Sequence, residues 1–395
     1  LGGAGNAVVN GAIVLVVPAE AQAFGNASGA ANVAVMEGCS QVTKTGAGTW
    51  RLNATNSWQG GTVIDGGTLE LGHATDTISN NAPVTVNTGG TLDVLSNTDR
   101  VGEVRLKGGT LNATGGGTLH GMNYAFESGT ANAALGGVVT SMTKTTSGTV
   151  TLTGANTYEL GTTVSGGTLL VNNTSGSGTG TGGVTTAAGT TLAGTGTIAP
   201  TGTQGVSIGG SVAPGDPAAN GGVGTLTFTP VKTNVVFTAT STVDLQLKTN
   251  GLHGFTTSFN ADGTLASATG STTSGGNDRF VFNGGTTTSR LDLSSLADQN
   301  INVTFAAGYV PAAGDVFDLL DWGNLNGSDH ASAIMGLTTA QLDLPSLTSF
   351  DPLWAWDTGL WQSQGIVAIY IAVPEPGRAL LLLIGLVTLG LRRRK

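Results

Sequence analysis

Charge is scarce in this chain: Asp, Glu, Lys and Arg make up 10% of its 395 residues, and aromatics only 5%. A conventional core filled by large side chains would be thinly supplied, which favours an architecture with a narrow core of small residues. Cysteine is nearly absent. Cys39 stands alone, so no intramolecular disulfide framework exists and stability must come from the backbone. No His or Asn partner and no metal-ligand spacing surrounds it, and it reads as a small apolar residue. Bases are also few. Only 10 of the 15 Lys and Arg precede Val373, against 23 of the 24 acids, leaving the body at a net −13. Such a body repels phosphate backbones, and no basic stripe offsets it, so nucleic acid is excluded as a partner.

Glycine is what the chain has instead: 65 residues, with Thr and Val recurring beside it in short segments. That texture predicts short strands separated by tight turns. Collagen is excluded because no strict Gly-X-Y period exists. Strands this short become stable only when parallel copies stack, each coil satisfying its neighbour's backbone about 4.8 Å away around stripes of Val, Leu, Ile and Ala. The expectation is an all-β solenoid.

At the amino end, the apolar run Ala12–Val17 followed by Ala21-Gln22-Ala23 imitates a signal-peptidase site. It lacks an initiator Met and a basic region, the run is short, and Pro18 intervenes. The expectation is a sequence that starts inside a repeat, with the export signal upstream.

Sliding the sequence on itself reveals a duplication at an offset of 100 residues. Thr43-Lys44-Thr45-Gly46-Ala47-Gly48-Thr49-Trp50-Arg51-Leu52 aligns with Thr143-Lys144-Thr145-Thr146-Ser147-Gly148-Thr149-Val150-Thr151-Leu152. Asn56, Trp58 and Gly61 align with Asn156, Tyr158 and Gly161. Gly66-Gly67-Thr68-Leu69 aligns with Gly166-Gly167-Thr168-Leu169. Each copy reads as strand, turn, strand, and at least one Gly of each pair is expected at positive φ where a strand must restart at once.

These residues resemble the autotransporter-associated β-strand repeat. Residues 142–172 carry nearly all of its pattern, whereas 42–72 depart from it at Trp50, Ala54 and Trp58. Flanking segments such as Pro83–Leu92, Gly194–Ile198 and Val212–Asp216 are similar, so the resemblance covers about residues 1–229. It implies a right-handed parallel β-helix that presents a long surface, and implies no chemistry of its own.

Residues 230–372 have a different texture, with more Phe and four of the six Trp. A β-rich cap or small sandwich covering the open strand edges is expected there. Strands are predicted at Val235–Phe237, Val243–Leu247, Arg279–Phe282, Ile301–Phe305, Val316–Leu320 and Ile366–Ile371, with Thr249–Gly276 as a flexible insertion.

Residues 373–395 read Val373-Pro374-Glu375-Pro376, then Arg378, an apolar stretch 379–391, and Arg392-Arg393-Arg394-Lys395. Thirteen apolar residues make a single short C-terminal transmembrane helix of about 20 Å against a hydrocarbon core of about 30 Å, with Arg378 snorkelling at one end. The terminal bases stay cytoplasmic, which places the body outside. The order of motif, apolar helix and basic end resembles the PEP-CTERM sorting signal of Gram-negative bacteria. The resemblance implies an exosortase-type membrane protease as partner. It also implies an inner-membrane-anchored precursor that passes to the cell surface or an extracellular matrix. Two prolines keep the motif extended and outside the helix.

A search for chemistry returns little. β-Helix enzymes that act on polysaccharides cluster acids and bases on adjacent coils. Here Asp65, Glu70, Asp76, Asp93, Asp99, Glu103, Arg105 and Lys107 are spread through the first repeat, and the second replaces Asp65 and Glu70 with Ser165 and Leu170. His73, His120, His253 and His330 are far apart and lack metal-ligand spacing. Asn277-Asp278 is a turn before it is a calcium site. Trp50 and Trp58, as an exposed pair, offer sugar stacking, set against simple packing. No catalytic residue, metal or cofactor is expected. The function anticipated is a noncatalytic structural or adhesive surface protein in contact with exopolysaccharide or other surface proteins, the alternative being a polysaccharide lyase or hydrolase.

Overall fold

The computed structural model describes residues 7–16, 36–58, 60–248, 255–270, 276–284, 289–322 and 334–372. Most strands belong to one connected sheet of 24. Its pairings are parallel throughout, and each links a strand to its counterpart in the next coil. Starting at Val42, one inward column runs through Thr62, Val84, Val104, Tyr124 and Met142 to Thr162, Val184 and Val206. The steps are 18–22 residues, one turn of a solenoid each. A second column runs Val150, Leu169, Leu192, Val212, Val243, Ile301 and Leu342. This is a parallel β-helix.

Alternation decides which side chains face inward. Thr149–Leu152 has Val150 and Leu152 buried between more exposed Thr149 and Thr151, and Val84–Asn87 follows the same two-residue period. Stacked along the axis, such positions form one continuous apolar core from Val42 to Ile369. Small residues suffice because each coil needs to fill only the narrow space between its own strands. Strand Ala7–Val16 pairs in parallel with Met36–Thr45, the strand that holds Cys39.

The ladders do not stop at residue 229, which corrects the expected limit of the solenoid. Val206 pairs with Val235, Val235 with Leu291 and Leu291 with Ile334. A third ladder stacks Thr197–Ile198, Thr225–Phe228, Arg279–Phe282 and Leu320–Asp321. The change of texture comes from insertions between coils, which lengthen the step from 22 residues to 29 and then 56 without breaking the stack. Larger side chains fill this end, where Phe228 and Phe280 stack with ring centroids 4.9 Å apart.

Within Thr249–Gly276, expected to be a flexible insertion, the described residues form an antiparallel hairpin of Phe255–Phe259 and Leu265–Gly270. A three-stranded antiparallel sheet of Val316–Asp318, Ile366–Ile371 and Trp354–Asp357 lies at the end of the described chain. Trp361 is buried there, its Nε1 donating to the Thr338 carbonyl at 3.0 Å. Among the described residues no helix is long and apolar enough to cross a membrane. The sorting motif and the predicted transmembrane segment, residues 373–395, lie outside the described residues.

Candidate functional site

The duplicated motif builds corners. Lys44 and Lys144 are both fully buried. The Lys44 ammonium donates to the carbonyls of Thr45, Gly46 and Gly66 at 3.0, 2.8 and 2.8 Å. Lys144 donates to Thr146 and, at 2.9 Å, to Gly166. Each lysine therefore ties its own corner to the corner of the next coil. Loss of water pushes both ammonium groups below the ordinary lysine range. The following glycines must approach closely: Gly67 and Gly167 have φ of 63° and 65°, as the sequence predicted. An added Cβ on Gly167 would lie 2.3 Å from the Gly148 carbonyl oxygen.

Asn156 clamps three coils. Its Oδ1 accepts from the Leu135 amide at 2.8 Å, and its Nδ2 donates to the Gly178 carbonyl at 2.6 Å. Asn56 does similar work, donating to Ala54 and Thr77 carbonyls at 2.8 Å each.

Trp50 and Trp58 do not form an exposed pair. Both are buried, Trp58 completely, and both belong to the core. Trp58 Nε1 donates to Thr62 Oγ1 at 3.0 Å, and Tyr158 Oη bonds Thr162 Oγ1 at 2.7 Å in the second copy. The Trp-for-Tyr exchange keeps a polar tip over the same threonine, so packing and not sugar stacking explains these rings.

Several of the scattered charges of the first repeat are engaged coil to coil. Arg51 meets Glu70 at 2.6 Å, Asn87 donates to Asp65 at 2.6 Å, and Lys107 meets Glu127 at 2.9 Å. Asp93 accepts from the amides of Leu95 and Thr114 at 2.8 and 3.0 Å. Asp99 is fully buried, and burial pushes its carboxyl up to about 6. His73 and His120 stand in different coils, whereas His253 and His330 lie outside the described residues. Among the described residues no three His, Cys, Asp or Glu come together as a metal site.

Asp278 is spent on backbone. Its two oxygens accept from the amides of Gly224 and Gln246, each at 2.8 Å, and burial pushes the carboxyl up to about 7. Asn277 donates to the carbonyls of Asp278 and Asp318 at 2.7 and 2.9 Å. This carboxylate braces one ladder against another.

One feature lay outside what the sequence suggested. An open groove of about 840 Å³ runs across four coils and is lined by Leu160, Thr163, Thr185, Gln204, Ser207 and Lys232, among others. Its floor is a hydroxyl column, since Thr163 pairs with Thr185 and Thr185 with Ser207 in register. The segment Thr203–Gly205 and the turn Lys232–Asn234 form its flank. No single motif encodes it. The signal available was the Thr or Ser recurring two residues after Gly161, Gly183 and Gly205.

Compared with known families, residues 42–71 and 142–171 each match the model of the passenger-associated-transport repeat. The two matches coincide with the two copies whose corners are described above. No curated protein matches the chain. The matched repeats, together with the stacked coils, mark an exported, surface-exposed β-helical protein.

Proposed function

We propose that this chain is a noncatalytic structural or adhesive protein of the bacterial surface or matrix, sorted there by an exosortase-type membrane protease. The observation that carries the reading is the pair of passenger-associated-transport repeats set five coils apart in one parallel stack. Their most distinctive residues, the buried Lys, Asn and Gly, are consumed in holding coils together, which supports a scaffold role. Most acids of the first repeat are paired with neighbouring side chains or backbone amides and not gathered about a cleft, which disfavours a lyase or hydrolase.

Sorting rests on the tail sequence. Pro374-Glu375-Pro376 ahead of the apolar stretch 379–391 and of Arg392-Arg393-Arg394-Lys395 gives a protease an extended motif beside a short membrane segment. In a host with an exosortase, the surface protein should lack the apolar stretch and end near Pro376. Joint replacement of Glu375 and Pro376 by Ala should hold the precursor in the inner membrane. Mass spectrometry of C-terminal peptides is the test. Recovery of Arg392–Lys395 still attached to the surface-exposed wild-type protein would reduce the tail to a plain anchor.

A further inference from the structure

Hydrogen-bonding groups that the fold leaves unused converge in the groove over Thr163, Thr185 and Ser207. The side-chain hydroxyls of these three residues, the amide of Gln204 and the ammonium of Lys232 all line it, and none bonds to another described residue. Thr233 Oγ1, also in the lining, is buried with no hydrogen-bond partner, a condition that costs free energy until a ligand or water supplies one. No carboxylate lines the groove, although acids outnumber bases in the chain by 24 to 15. The local charge therefore has the opposite sign to the body as a whole.

We infer that this groove binds an extended acidic polysaccharide strand along the solenoid axis, its hydroxyls on the Thr/Ser column and a uronate carboxylate against Lys232. The reason is periodicity joined to chemistry. Successive coils repeat a hydroxyl about every 4.8 Å, a spacing suited to a polymer that presents polar groups at a similar regular pitch. A β-strand from a protein partner finds no purchase on the floor, because Val184, Val206 and Val235 strands already pair on both sides. Nucleic acid would face a single lysine on a strongly acidic body. The inference deepens the surface or matrix role proposed above and rests on it for its biological setting.

The test is calorimetric titration of the full chain in detergent with alginate oligosaccharides, and with dextran as an uncharged control. Alginate should bind and dextran bind more weakly. Joint Thr185→Val and Ser207→Ala should weaken alginate binding about tenfold, the scale of one or two lost hydrogen bonds. Lys232→Gln should weaken it and flatten its salt dependence. Thr185 is exposed, so far-UV circular dichroism and melting of these variants should match the parent. Absence of binding to either glycan, or binding unchanged by both sets of substitutions, would overturn the inference. Equal binding of dextran would overturn the assignment to Lys232. Failure here with the protein still displayed at the surface leaves the proposed function standing. Retention inside the cell with glycan binding intact removes the proposed function and leaves the groove.

Discussion

Gly167 holds a left-handed backbone turn against the Gly148 carbonyl oxygen, and no other side chain fits there. Gly167→Val should therefore lower stability by more than the ~1 kcal/mol of a simple propensity change, because strain and steric overlap add to it. A thermal melt of the variant checks this, and an unchanged midpoint would contradict it. The glycine pair was legible in the sequence because a β-branched residue follows it at once in both copies. Burial of Lys44 and Lys144 was not legible. Lysine is ordinarily a surface residue, and only the corner carbonyls at the coil turn reverse that preference. Buried carboxyls give a second residue-level expectation. Asp278 is raised from 3.8 to about 7 and Asp99 to about 6, both chiefly by burial, so each binds its proton more tightly when folded. Their contribution is full below the unfolded value and is lost as pH rises through about 6 to 7. In urea titrations, the parent midpoint should fall between about pH 5 and pH 8, and Asp278→Asn should show a smaller fall. An equal or larger fall in the variant would exclude Asp278 as a source.

A coil of this solenoid is held at its corners as much as along its strands. Asn156 bonds the coil before it and the coil after it from a buried position. Asn156→Ala strands the Leu135 amide and the Gly178 carbonyl together, so its cost should reach about 2 kcal/mol or more, above that of a typical single hydrogen bond. Hydrogen exchange gives the sharper reading. The Leu135 amide should lose protection in the variant while strands several coils away keep theirs, and uniform loss would point to global unfolding instead. Individual strands were readable as hydrophobic runs between Gly- and Pro-bearing turns: Val235–Phe237, Arg279–Phe282, Ile301–Phe305 and Ile366–Ile371 form over the predicted spans. Their partnership was not. Beyond residue 229 the coils carry insertions, one of them the hairpin Phe255–Gly270, so the regular step vanishes from the sequence while Val206, Val235, Leu291 and Ile334 still stack. Of the two readings open for Trp50 and Trp58, sugar stacking and simple packing, burial selects packing. Large rings look out of place in a small-residue coil, yet both are buried in the core, Trp50 in register with Leu69 of the next coil.

At the scale of the molecule, the 100-residue duplication becomes a distance. Five coil steps lead from Val42 through Thr62, Val84, Val104 and Tyr124 to Met142, so equivalent residues of the two repeats lie on one face, five rungs apart. The same stacking raises the continuous hydroxyl column of the groove and extends one apolar core through the chain. The measurement that tests this most directly is a pulsed electron-electron distance between spin labels on exposed corner positions. Ala47→Cys and Ser147→Cys would carry the labels, in a chain where Cys39→Ser removes the native thiol. Five rungs of about 4.8 Å predict a single narrow distribution centred at about 24 Å, broadened only by the label arms. A broad distribution, or one centred far from about 24 Å, would mean that the copies are not stacked in one parallel helix, and would contradict the account.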